Sequence, residues 1–189
     1  MNVIAILGSR NPEGQTARAA DALLEGAAAG GCKCEKVFLP ELDIERCRQC
    51  DENGWGTCRS EGTCVIEDDF ASVVRKIRGA GAVVFANPVY FSDLSESLRA
   101  FLDRLRRTTR HEAGKEGITG KPAVGICVAG GGGGGAPACT VSLEKVLATC
   151  GFEGVDMEPV RRQNLDMKCE VLKTVGGWLA DAAGRDRDD

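Results

Sequence analysis

Short apolar, β-branched stretches alternate with amphipathic helical ones five times along this chain, and that alternation leaves few folds open. "NVIAIL" (residues 2–7) is almost continuously apolar, as a strand covered on both faces must be. In "QTARAADALLEGAAAG" (15–30) Ala17, Ala20, Leu23, Leu24 and Ala27 share one helical side, and Gly30 and Gly31 end it. Further strands are expected at "CEKVFLP" (34–40, ended by Pro40), "AVVFANP" (82–88), "PAVGICVA" (122–129) and "GFEGVDMEPV" (151–160). Helices are expected at 68–80, 92–107, 136–150 and 168–183, the one at 92–107 opening on Asp93 and Glu96 in capping-box spacing. Strict β-α alternation with right-handed crossovers predicts an α/β three-layer sandwich. Its five-stranded parallel sheet has helices on both faces and, in the simplest arrangement, the order 2-1-3-4-5.

With 189 residues there is enough chain for one well-buried core. Residues 1–183 are read as one domain, with a cysteine-rich loop (44–66) inserted after the second strand and a frayed tail at 184–189. A net charge of −4 provides no basic footprint for nucleic acid. Arg104, Arg106, Arg107 and Arg110 are expected at a solvated helix end. No apolar run reaches the length of a membrane span and no signal peptide is evident, so a cytoplasmic, reducing location is expected. Ten cysteines in such a compartment argue against a disulfide scaffold and towards metal, cluster or thiol redox use. Cys127 and Cys150, in apolar surroundings, read as buried packing residues.

In open α/β sheets ligands bind beyond the carboxyl ends of the strands, where strand order reverses. Three loops expected there are unusual. "GSRNPEGQT" (8–16) joins two flexible glycines to Ser9, Asn11, Gln15 and Thr16 ahead of a helix N-terminus, which suits a phosphate. It is not a Walker A loop: Gly8 and Gly14 stand one residue too far apart and no lysine follows. "NPVYFSD" (87–93) places Tyr90 and Phe91 where they are costly exposed aromatics unless a ligand or a second subunit covers them. Gly130 through Gly135 run unbroken and bring bare N–H groups to the same edge. A phosphate nest at one end, with backbone amides and aromatics around a planar body, fits FMN better than a dinucleotide.

These three stretches, over about residues 2–180, resemble the NADPH-dependent FMN reductase family, whose fold is flavodoxin-like. The resemblance implies an FMN phosphate held by Ser9, Arg10, Asn11, Gln15 and Thr16. It also implies an isoalloxazine contacted by Asn87, Pro88, Val89, Tyr90 and Phe91, with Gly130, Gly131 and Gly132 at its other edge. Flavin-dependent oxidoreductase activity follows, with reduced nicotinamide as donor, a small molecule or ferredoxin-type protein as partner, and assembly as homodimers or homotetramers. Chemistry would occur at flavin N5, with no catalytic side chain required. His111, the only histidine, reads as a bystander.

The iron–sulfur flavoprotein branch carries a cysteine motif spaced C-x2-C-x2-C-x5-C in the loop after strand two. Here Cys47 and Cys50 keep the first spacing and Cys58 and Cys64 the last, but seven residues rather than two separate Cys50 from Cys58. The four thiols are therefore candidate ligands of a [4Fe–4S] cluster or a zinc ion, a redox thiol set, or idle. A non-catalytic electron carrier and a zinc-stabilised module remain alternatives to the enzyme.

Overall fold

All five strands form in the expected order in the computed structural model, which describes residues 1–185. The chain runs β1 (Asn2–Leu7), α1 (Gln15–Ala29), β2 (Lys33–Phe38), a four-residue α2 (Thr57–Ser60) and α3 (Phe70–Gly79). It continues through β3 (Ala82–Pro88), α4 (Glu96–Thr109), β4 (Pro122–Ala129), α5 (Ala136–Cys150), β5 (Glu153–Arg161) and α6 (Leu165–Arg185). The strands are all parallel, ordered β2-β1-β3-β4-β5, so the order reverses between β1 and β3. Leu7 pairs with Ala86, and Asn87 with Cys127, so the three central strands end level and their following loops share one edge.

Helices cover both faces. On one, α1 and α6 pack over Val3, Ala5, Val84 and Ile126; all five α1 residues expected inside are buried. Gly26 and Gly176 let α1 and α6 touch backbone to backbone, since a Cβ on either would overlap a carbonyl oxygen of the other helix. On the opposite face Phe70, Phe101 and Leu105 gather over Ile6, Val83 and Phe85. Among the described residues no helix is long and apolar enough to cross a membrane.

Several boundaries differ from the sequence reading. β2 stops at Phe38 because the chain turns at once into a 3-10 turn, Leu39–Glu41, with Pro40 in its middle. α4 is capped by Ser95, whose Oγ accepts from the Leu98 N–H, not by Asp93; Asp93 closes the preceding turn and pairs with Arg99. α6 continues through Arg185, so two residues of the expected frayed tail are helical, and the other four, 186–189, lie outside the described residues.

Candidate functional site

The loop after β1 leads straight into α1, whose N-cap Gly14 is extended and supplies no side-chain cap. The first N–H groups of the helix therefore lack both an intrahelical carbonyl and a capping oxygen, which favours an anion in front of them. Asn11 shapes the loop: its Oδ1 accepts from the Glu13 N–H at 3.0 Å, and its carbonyl from Gly14 at 3.2 Å. Arg10 is exposed, Ser9 partly so, and Thr16 is buried at the first turn. The Gln15 amide ends in a buried Oε1 with no protein partner, leaving one edge of that amide for a ligand or water.

Loop 87–93 is a tight turn closed by reciprocal N–H···O bonds between Tyr90 and Asp93, at 3.1 and 2.9 Å. Val89 donates to Val128 of β4 at 2.9 Å. Phe91 and Ser92 sit in the left-handed region, with φ of 49° and 65°. Such backbone in a bulky residue costs about 1–3 kcal/mol and collects at ligand-binding and switch sites. Phe91 is fully exposed and Tyr90 about half exposed.

Asn87 occupies a different place from its neighbours. It is wholly buried; its Nδ2 donates to the Pro88 carbonyl at 2.8 Å and to Cys139 Sγ at 3.3 Å, and its Oδ1 accepts from Ser95 at 2.9 Å. With those bonds made, the side chain is a brace behind the loop rather than a contact in front of it. Hydrogen bonds from Cys127 and Asn87 hold the Cys139 thiol below its ordinary value against the opposing effect of burial. Burial pushes the Cys150 thiol up to about 12, so it stays protonated and inert, as a packing residue should.

The glycine run completes the edge. Gly130, Gly131 and Gly132 are exposed with open space where a Cβ would stand. Gly135, at φ 81°, lies against the other loop: its Cβ would come within 2.7 Å of Ser92 Cα. Gly8 abuts Ser95 and Asn87, and Ser97 Oγ donates to the Gly8 carbonyl at 3.1 Å. The segment after β3 therefore touches each of the other two loops.

The cysteine loop is anchored by a buried ion pair. Arg104, 1% exposed, donates to both Asp68 oxygens, to the Glu45 carbonyl at 3.1 Å and to the Ile66 carbonyl at 3.4 Å; Asp68 also accepts from the Glu45 N–H at 2.9 Å. This joins the two stems of the loop, and it corrects the expectation of a solvated Arg104. Burial alone would raise the Asp68 carboxyl, but Arg104 and the N–H groups of Glu45 and Phe70 outweigh it and hold it below the ordinary value.

The insert between Cys50 and Cys58 is folded. Asp51 Oδ1 accepts from the N–H groups of Asn53 and Trp55 at 3.0 and 3.2 Å, and Gly54 turns the chain at φ 72°. Trp55 then lies against the Arg107 guanidinium, 4.8 Å from its ring centroid, and edge-on to His111 at 5.0 Å. This packing sets the His111 ring against the insert, with its Nε2 buried and without a protein partner. It also returns the chain to Cys50, whose Cβ lies 3.2 Å from the Cβ position of Gly56. As a result Cys47, Cys50, Cys58 and Cys64 line one small cavity, of about 20 Å³, together with Arg48, Arg104 and Arg107. Among the described residues no carboxylate lines it, and no three potential ligands stand close enough to grip an ion as they are arranged. Donor set and charge suit a thiolate-bound, anionic metal centre; the thiols would have to draw together around it.

Residues 1–161 match the sequence pattern of NADPH-dependent FMN reductases. The chain belongs to that family. Within the FMN reductase family it is similar to an iron–sulfur flavoprotein of Methanocaldococcus jannaschii, 31% identical over 131 residues, 69% of this chain and 65% of that one. An iron–sulfur flavoprotein of Archaeoglobus fulgidus is 32% identical over 105 residues, 56% of this chain and 46% of its own length. The matches thus span about half to two thirds of these relatives. The fold is shared with an NAD(P)H:quinone oxidoreductase from Methanothermobacter marburgensis, at a TM-score of 0.68 and 21% identity over 95% of this chain and 96% of that one.

The sequence alone did not mark Arg104 and Asp68 as anchors of the cysteine loop, or Trp55 as the residue that packs its insert. One signal was present: Arg104 follows Phe101 by three residues, on the inner side of α4.

Proposed function

We propose that this protein is an FMN-dependent oxidoreductase that takes electrons from NAD(P)H or a protein donor and passes them to a small acceptor or redox partner. The carrying observation is the convergence of the loops after β1, β3 and β4 at the strand-order reversal, in front of the uncapped N-terminus of α1. Ser9, Arg10, Asn11, Gln15 and Thr16, with the first N–H groups of α1, would hold the phosphate. Pro88, Val89, Tyr90 and Phe91 would flank the ring on one side and Gly130, Gly131 and Gly132 on the other. Asn87 acts from behind, holding that turn through Ser95 and Cys139.

Bound FMN supplies two-electron exchange with a nicotinamide and release of electrons singly or in pairs. The chain's own part is to fix the ring, to shield it with two aromatics and to present backbone amides. No side chain has to move a proton. The four-cysteine cavity would hold a [4Fe–4S] cluster, a reading supported by its all-thiol donors and by the names of the relatives. All ten cysteines are free thiols, in keeping with a cytoplasmic setting. The exposed Tyr90 and Phe91 suit a homodimer or homotetramer that covers the flavin edge.

Anaerobic mixing of the FMN-loaded protein with NADPH and with NADH tests the reading. Rapid bleaching of the flavin band by at least one nicotinamide, with reoxidation by a quinone, is expected. Flavin that both nicotinamides and reduced ferredoxin leave oxidised would refute it.

A further inference from the structure

Arg104 differs from the other two arginines of the four-cysteine cavity. Arg48 is exposed and paired with Glu45, and Arg107 is committed to the Trp55 ring and the Gly54 carbonyl. Arg104 is immobile: 1% exposed, stacked 4.2 Å from the Phe70 ring, its two terminal nitrogens bonded to Asp68, Glu45 and Ile66. Its remaining donor, Nε, is buried without a partner. Buried N–H groups are seldom left so, and one that is calls for an acceptor. The acceptors at hand are the sulfurs of the cavity, where Cys64 stands beside the guanidinium.

We propose that Arg104 sets the reduction potential of the metal centre in this cavity, its Nε–H donating to a ligand sulfur, Cys64 foremost. The proposal rests on the [4Fe–4S] reading of the loop. Reduction adds one electron to the centre, delivered by reduced flavin in the protein or by dithionite in the test; no bond is made or broken and no proton moves. The added charge spreads onto the ligand sulfurs, so a donor fixed against one of them is bound more strongly in the reduced state and raises the potential. Asp68 holds the guanidinium in place and offsets most of its net charge, so the effect on the sulfurs is that of the aimed Nε–H group.

The test is an anaerobic potential titration of the holoprotein followed by electron paramagnetic resonance, with iron and sulfide determined on each sample. Arg104→Gln is expected to lower the reduced-to-oxidised ratio at fixed potential about tenfold, a fall of about 59 mV for a one-electron couple. Arg104→Lys keeps the charge without Nε and should lie between it and wild type; Arg48→Gln should shift the potential much less. Should Arg104→Gln lose the cluster, the Lys variant decides: a lowered potential supports the proposal and a wild-type value overturns it. A fully loaded Arg104→Gln at the wild-type potential, or an equal shift in Arg48→Gln, also overturns it. Wild-type protein holding no iron and sulfide would instead overturn the cluster reading, and this proposal with it.

Discussion

Asp68 accepts hydrogen bonds from Arg104, Glu45 and Phe70, so its charge serves both stems of the cysteine loop. Replacing it with Asn leaves Arg104 buried and uncompensated, a change that costs about 3–5 kcal/mol. Its carboxyl is held below its ordinary value in the folded protein, so its stabilisation is complete above the unfolded value of about 4 and is lost as pH falls through the folded one. Urea unfolding should therefore show a large gap between wild type and Asp68→Asn near neutral pH, closing below about pH 4. A gap that persists in acid would mean that the charge of Asp68 is not what holds the loop. Phe91 poses the reverse case. Phe91→Gly relieves a left-handed backbone and should stabilise the flavin-free protein by about 1 kcal/mol. The same change should weaken FMN binding several-fold, measured by flavin fluorescence quenching.

Elements meet the site through glycines with different work to do. In the run after β4, Gly134 has open space and no left-handed backbone, whereas Gly135 is left-handed and packed on Ser92. Gly134→Ala should change stability by less than about 0.5 kcal/mol, and Gly135→Ala should cost about 1–3 kcal/mol while loosening FMN, because it pushes the two ring-flanking loops apart. At the far side of the sheet, Gly26→Ala would drive α1 off the Lys173 carbonyl of α6. Thermal unfolding should register that loss, yet the folded fraction should bind FMN as wild type does, since the N-terminal end of α1 is untouched. Equal losses of FMN affinity in Gly26→Ala and Gly135→Ala would show that the loops are not the site.

At the scale of the molecule, alternation of apolar runs and helices was enough to read the sheet order, because buried parallel strands tolerate few polar residues and crossovers have one hand. The three loops were legible for a related reason: glycines, Pro88 and paired aromatics at strand ends have few structural uses. The bracing role of Asn87 was not legible, since its partner Cys139 comes from α5, far along the chain. Arg104 was read as solvated because a charge beside other charges on α4 looks like a wet face until Asp68, supplied by another segment, is placed opposite it. The Asp51 turn and the Trp55 stack were equally out of reach, though they make a seven-residue insert compatible with four thiols around one cavity. On the proposed function, the edge shared by these loops holds FMN by its phosphate and its ring together. Native mass spectrometry of the protein with FMN and with riboflavin tests it most directly. One FMN per chain, with riboflavin bound at least about tenfold more weakly for want of the helix-held phosphate, is the expected result. Bare polypeptide at saturating FMN, or equal affinity for the two flavins, would contradict it.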